Sequence, residues 1–128
     1  MDTPGQDGQQ RDGQERAQEE AFLEARHEGR LVASADVSGS TEPHGTAQVA
    51  LHRHHPDAPA EVRGDLVDQV MDTRVVSSSD AVHVVLPLGD SASITRLQER
   101  TEDFTARPAG TSAVVDAAVP PPADAQER

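Results

Sequence analysis

The sequence contains no cysteine, tryptophan, tyrosine, lysine or asparagine. Without cysteine there is no disulfide, thiolate nucleophile, iron–sulfur cluster or cysteine zinc site, and no clue to redox compartment. Without lysine there is no Walker-type phosphate loop, no Schiff base and no covalent pyridoxal phosphate. Without asparagine there is no N-glycosylation acceptor. The only aromatic residues are Phe22 and Phe104. Proteins that grip single-stranded nucleic acid stack bases on aromatics in a positive groove, and this chain offers neither. No run approaches about 18 apolar residues, so no transmembrane helix is expected. The opening residues, Met1-Asp2-Thr3-Pro4-Gly5-Gln6-Asp7, are acidic and polar, unlike a signal peptide. Neither nucleic acid nor a membrane is therefore expected as a partner, and the cytoplasm is the default location.

What remains is an acidic chain of 128 residues with a net charge of -12 and 34% hydrophobic residues. That length suits one domain. All 11 basic residues are arginine. Ala, Arg, Gly, Pro, Val and Asp, which have GC-rich codons, displace Lys, Asn, Tyr and Ile, so the composition reads as that of a high-GC bacterial genome.

Three regions are expected. Residues 1–29 form an acidic tail, without apolar residues from Gln6 to Gln14 and therefore disordered there. From Glu15 to His27, Ala17, Ala21, Phe22, Leu23 and Ala25 lie on a helix-forming sequence, predicting a marginal helix that ends at Gly29. Residues 30–119 hold nearly all of the Val, Leu and Met and form a single α+β domain. Residues 120–128, opening on Pro120-Pro121-Pro122, form a short disordered tail.

Inside the domain, Leu31, Ala33, Ala35 and Val37 alternate with polar or small residues, as do Ala47, Val49 and Leu51. These two strands should form an antiparallel hairpin across the Ser38–Gly45 loop. Asp57-Ala58-Pro59 opens a helix whose buried face is Val62, Leu66, Val67, Val70 and Met71. Thr73 to Ser77 reads as a strand, Ser78-Ser79-Asp80 as a turn, and Val82, Val84, Leu86 and Leu88 as the inward face of the strongest strand. Gly89-Asp90-Ser91 caps a second helix carrying Ile94, Leu97, Thr101 and Phe104. Pro108-Ala109-Gly110 breaks the chain, and Ser112 to Val119 is a last strand.

The order β-β-α-β-β-α-β predicts a small antiparallel sheet with two helices on one face. It is either a ferredoxin-like split βαβ fold or two ββα units. The split βαβ option leaves the extra N-terminal strand without a free edge, so that strand would pair elsewhere.

Histidines are the clearest candidates for chemistry. His52 and His54 project from one face of a strand, and His83 points away from the core on another. Imidazoles so placed suit zinc, copper or nickel, with His55 or Asp57 completing the set. The competing reading is a solvated sheet face. Gly89-Asp90-Ser91 resembles the Gly-Asp-Ser block of a hydrolase family, which would make Ser91 a nucleophile with His83 as a base. Against that, Asp and Ser are simply the favoured helix caps. Ser77, Ser78, Ser79 and Asp80 read as a turn, and the Ser38–Gly45 loop as a solvated connection. Arg96 and Arg100, one turn apart, offer a clamp for an acidic partner or an exposed face of weak ion pairs.

Two helices cover one face of such a sheet and leave the other free. The expectation is a small non-enzymatic protein acting by self-association or protein partner binding, without a cofactor. The alternatives are a metal-binding protein or enzyme using His52, His54 and His83, with zinc the first candidate, and a small-ligand regulatory module.

Overall fold

The structure, a computed structural model, describes residues 18–40 and 45–120. The expected disorder of the early tail and of 121–128, and the middle of the Ser38–Gly45 loop, lie outside the described residues.

Among the described residues, six strands and three helices follow the order β1 (Gln18–His27), β2 (Arg30–Ser40), β3 (Thr46–Arg53), α1 (Ala60–Met71), α2 (Arg74–Ser77), β4 (Ala81–Pro87), α3 (Ser91–Arg100), β5 (Glu102–Ala109) and β6 (Ser112–Ala118). They build one mixed sheet in the order β1-β2-β3-β4-β6-β5. β3 and β4 run parallel, and every other neighbouring pair is antiparallel.

The ferredoxin-like assignment is overturned at two places. Thr73–Ser77 is not a strand. Thr73 instead caps the short helix α2, its hydroxyl accepting from the Val76 amide, and Val75 and Val76 are buried there. Local β-branched propensity yielded to the tertiary burial that this turn of helix gives them. As a result one strand, not two, lies between the long helices. β3 and β4 become direct neighbours through a βαβ connection, whereas a split βαβ fold keeps such strands apart. The free edge of β3 then receives β2, and β2 receives β1, which removes the difficulty over the extra strand.

The second correction concerns the N-terminal segment. The expected marginal helix is strand β1, so the sheet begins at Gln18 and not at residue 30. Helix propensity is worth tenths of a kcal/mol per residue and loses readily to a full strand ladder. The Ala21, Leu23 and Ala25 alternation meets Val37, Ala35 and Ala33 of β2. Glu28 and Gly29 form a two-residue turn in which both have positive φ, 54° and 78°. This is the hairpin turn whose twist matches the strands, and glycine makes it cheap. Gly29 marks that turn, not a helix end.

Strands β2, β3, β4 and β6 and helix α1 follow the sequence closely, whereas β5 was not expected. The β2–β3 hairpin forms with Val37 opposite Val49. α1 opens at Ala60 after Pro59, and α3 opens after Asp90. α3 stops at Arg100, however, where the Thr101 hydroxyl donates to the Leu97 carbonyl at 2.6 Å. Phe104 therefore lies on β5, and Pro108 and Ala109 continue that edge strand up to the turn at Gly110.

Alternation divides the sheet into two faces. Ala35, Val37, Val49, Val84, Leu86 and Val115 are buried with Leu66, Val67, Val70, Val75, Val76 and Leu97 of the helices in one core. Among the described residues all three helices belong to this face. The other face carries Phe22, Asp36, Gln48, His52, His83 and Asp116, all exposed or half-buried.

Candidate functional site

The parallel pair β3–β4 is registered from Thr46 opposite Ala81 to Ala50 opposite Val85, and then stops. Both strands continue: β3 runs to Arg53 and β4 to Pro87. Beyond Ala50, β3 stays paired with β2, Leu51 facing Ala35 and His52 facing Ser34. Beyond Val85, β4 stays paired with β6, Leu86 facing Ala113 and Pro87 facing Ser112. The sheet therefore opens along one seam at the carboxyl ends of its two parallel strands. Backbone groups along that seam have no ladder partner across it. In open sheets with parallel strands, ligands bind outside those ends.

Two imidazole–carboxylate pairs flank the opening on the open face. On β4, His83 Nδ1 lies 2.7 Å from Asp116 Oδ1 of β6. Arg107 of β5 donates to the other oxygen, Oδ2, at 3.1 Å. The hydrogen bond from His83, and after it the one from Arg107, holds the Asp116 carboxyl below its ordinary value. A firmly ionised carboxylate keeps the proton on Nδ1 and leaves Nε2 as the acceptor. Among the described residues Nε2 has no hydrogen-bond partner. On β3, His52 Nε2 lies 3.1 Å from Asp36 Oδ2, a more exposed pair.

His52, His54 and His83 are not brought together. His83 sits beside Gln48, four positions before His52 on the neighbouring strand, which is about 13 Å along the strand. His52 and His54 have ring centroids 6.4 Å apart. His54 is engaged by the Ser34 hydroxyl at 2.8 Å, and His55 packs against the Arg30 guanidinium. Asp57 donates its amide to His55 Nδ1 at 3.1 Å rather than offering its carboxylate to a shared centre. Among the described residues no group of three or more His, Asp or Glu could hold a metal ion.

The Gly89-Asp90-Ser91 block is a helix cap. Asp90 is 3% exposed; it accepts from the Ser93 amide at 3.3 Å and the Ser93 hydroxyl at 2.7 Å. Ser91 lies on the helical side of the sheet, whereas His83 belongs to the open face. Ser78 and Ser79 return their hydroxyls to the carbonyls of Arg74 and Val75, each at 2.7 Å. No helix among the described residues is long and apolar enough to cross a membrane.

On the helical side, the amino ends of α1 and α3 border a groove of about 410 Å³ that includes Glu61, Arg63, Gly64, Ser91, Arg96 and Glu99. Arg63 pairs with Asp90, and Arg96 with Asp68. Arg100 also reaches Asp68, at 2.9 Å, and Asp72, at 2.8 Å. Arg96 and Arg100 are thus a clamp between two helices, an arrangement that the spacing within one helix did not disclose.

No protein-family model matches the sequence, and no curated protein matches it either. Solved structures do match. A ribosomal-protein-alanine N-acetyltransferase from Brucella melitensis superposes with a TM-score of 0.52 at 12% identity, covering 92% of this chain and 76% of that one. An acetyltransferase of the GNAT family from Streptococcus pneumoniae gives 0.54 at 8% identity, covering 79% and 67%. A Salmonella typhimurium protein assigned as an acetyltransferase, solved with its cofactor acetyl-CoA, gives 0.52 at 11% identity, covering 93% and 73%.

The fold is that of the GNAT acetyltransferases. At these identities the likeness is one of architecture. It replaces the ferredoxin-like assignment, and, because the matched structures are acetyltransferases, it overturns the expectation of a non-enzymatic association module drawn from the uncovered sheet face. The parallel pair that parts midway was hidden in the sequence. Ala50 and Val85 sit inside uninterrupted strand patterns, and nothing local marks where pairing between them ends.

Proposed function

We propose that this protein transfers an acyl group from a thioester donor to an amine. The observation that supports this most directly is the parting of β3 from β4 after Ala50 and Val85, in a fold whose solved relatives are acetyltransferases. A slender thioester arm suits such a seam, because unpaired strand groups on both sides can hydrogen-bond to its amides. When bound, acetyl-CoA supplies an acyl carbon that accepts an amine with loss of the thiol.

The chain's own part is to hold the amine and move its proton. His83 lies two residues before Val85 on the open face, about 7 Å along the strand from the mouth of the seam. Its Nε2 takes the proton that the amine sheds as the new C–N bond forms, and returns it to the departing thiolate. Asp116 orients the ring and stabilises the charge it then carries. Arg107 keeps Asp116 ionised. Carboxylates across a chain of net charge -12 favour an acceptor that carries positive charge elsewhere than on its reacting, uncharged amine.

The test is thiol release from acetyl-CoA by the full chain, measured against a panel of primary amines. Release that needs both an amine and His83 is the expected result. Thiol release at the uncatalysed rate with every amine would exclude the proposal.

A further inference from the structure

Acetyl-CoA is an arm ending in a thioester joined to a highly anionic nucleotide. The arm and the nucleotide make separate demands on this chain. General rules place a nucleotide diphosphate at helix amino ends outside the carboxyl ends of parallel strands. The helices that follow β3 and β4 are α1 and α3, and their amino ends share the groove of about 410 Å³.

That groove does not fit a polyanion. Asp90, almost wholly buried, already occupies the amino end of α3 with its own carboxylate. Glu61 stands in the first turn of α1, and Glu99 on the facing helix. The two guanidinium groups present, Arg63 and Arg96, are engaged by Asp90 and Asp68, and Arg96 also by Glu99 at 3.3 Å. Gly64 leaves room for this arrangement: a Cβ there would lie 3.2 Å from the Arg96 guanidinium. Freeing Arg63 for a phosphate would strand the buried Asp90, a costly exchange, and freeing Arg96 would give up its pairs with both Asp68 and Glu99. The charge that a nucleotide would meet in this groove is therefore negative.

We infer that this chain recognises its acyl donor by the thioester arm alone and makes no favourable contact with the donor's nucleotide. Acyl-pantetheine, which is the arm without the nucleotide, is then as good a ligand as acyl-CoA. The inference rests on the acyl-transfer reading above.

Binding of pantetheine and of CoA to the full chain, measured by calorimetry at low and moderate salt, tests it. A second chain carries Glu61→Lys and Glu99→Lys, both at exposed positions outside the proposed catalytic pair. The expected result is that the native chain binds the two ligands within about threefold of each other. The double variant then binds CoA about tenfold or more tightly, with a new salt dependence, and pantetheine unchanged. Native binding of CoA about tenfold tighter than pantetheine, weakening with salt, overturns the inference while leaving acyl transfer standing. If neither ligand binds either chain, the acyl-transfer reading fails and this inference falls with it.

Discussion

His83 Nδ1 sits 2.7 Å from Asp116 Oδ1, while Arg107 holds the second oxygen of the same carboxylate at 3.1 Å. Three residues on three adjacent strands thereby leave one imidazole nitrogen, Nε2, without a hydrogen-bond partner among the described residues. The arrangement depends on β6 lying between β4 and β5, so that His83 and Asp116 are direct cross-strand partners. Nothing in the separation of 33 positions along the chain announces it.

Replacing His83 by alanine should lower the rate of acyl transfer by about 10²- to 10⁴-fold, the usual worth of a positioned general base. Donor affinity should stay unchanged, because His83 acts on the amine. A His83→Ala chain that loses donor binding and keeps its rate at saturation would reassign the residue to the seam.

Asp116 should make the protein more sensitive to acid. Its folded pKa is lowered from the ordinary 3.8, so it contributes stability above that value and loses it as pH falls through the folded value. The Asp116 side chain is 46% exposed, so the contribution is small and weakened by salt. Urea midpoints of the native chain and Asp116→Asn should differ at pH 7 and converge as the pH is lowered through the folded value of Asp116. A constant difference across that range would show that the pairing with His83 and Arg107 contributes nothing through ionisation.

Gly39 of β2 lies under α2: a Cβ would come within 3.0 Å of Val75 Cγ1 and 3.2 Å of the Ala47 Cα. Gly39→Ala should destabilise the fold by about 1–3 kcal/mol, because the second neighbour is backbone and cannot turn aside. Leu97→Ala, which empties a fully buried site where α3 meets the core, should cost about 2–5 kcal/mol. Chemical unfolding measures both. An unchanged Gly39→Ala midpoint would mean that α2 shifts without penalty.

Zinc should leave the melting temperature where it was. A metal bound by the folded state alone would raise it by mass action, and His83 does not converge with His52 and His54. A rise on adding equimolar zinc, abolished by His83→Ala, would contradict that placement.

How far the sequence could be read depended on the range of the forces involved. The β2–β3 hairpin, the apolar stripe of α1, the Asp90 cap and the alternation of β4 are encoded within a dozen residues and were legible there. β1 was not, because Glu, Gln and Ala favour a helix locally while pairing with β2 supplies a whole ladder. α2 was not, because Thr73, Val75 and Val76 favour a strand until they are buried against β2 and β3. At the site, His52 and His83 could be singled out by face, but their partners Asp36 and Asp116 could not.

The sequence by itself determined the absence of thiol and lysine chemistry, the acidity, the α+β class and the two long helices, all of which follow from composition and short-range periodicity. Tertiary structure alone decided that β3 and β4 lie side by side and part after Ala50 and Val85, that His83 meets Asp116, and that Arg63 and Arg96 are neutralised by Asp90 and Asp68. Each of these depends on which distant strand or helix becomes a neighbour. That choice is made by the burial of the whole core, a quantity that no local window contains.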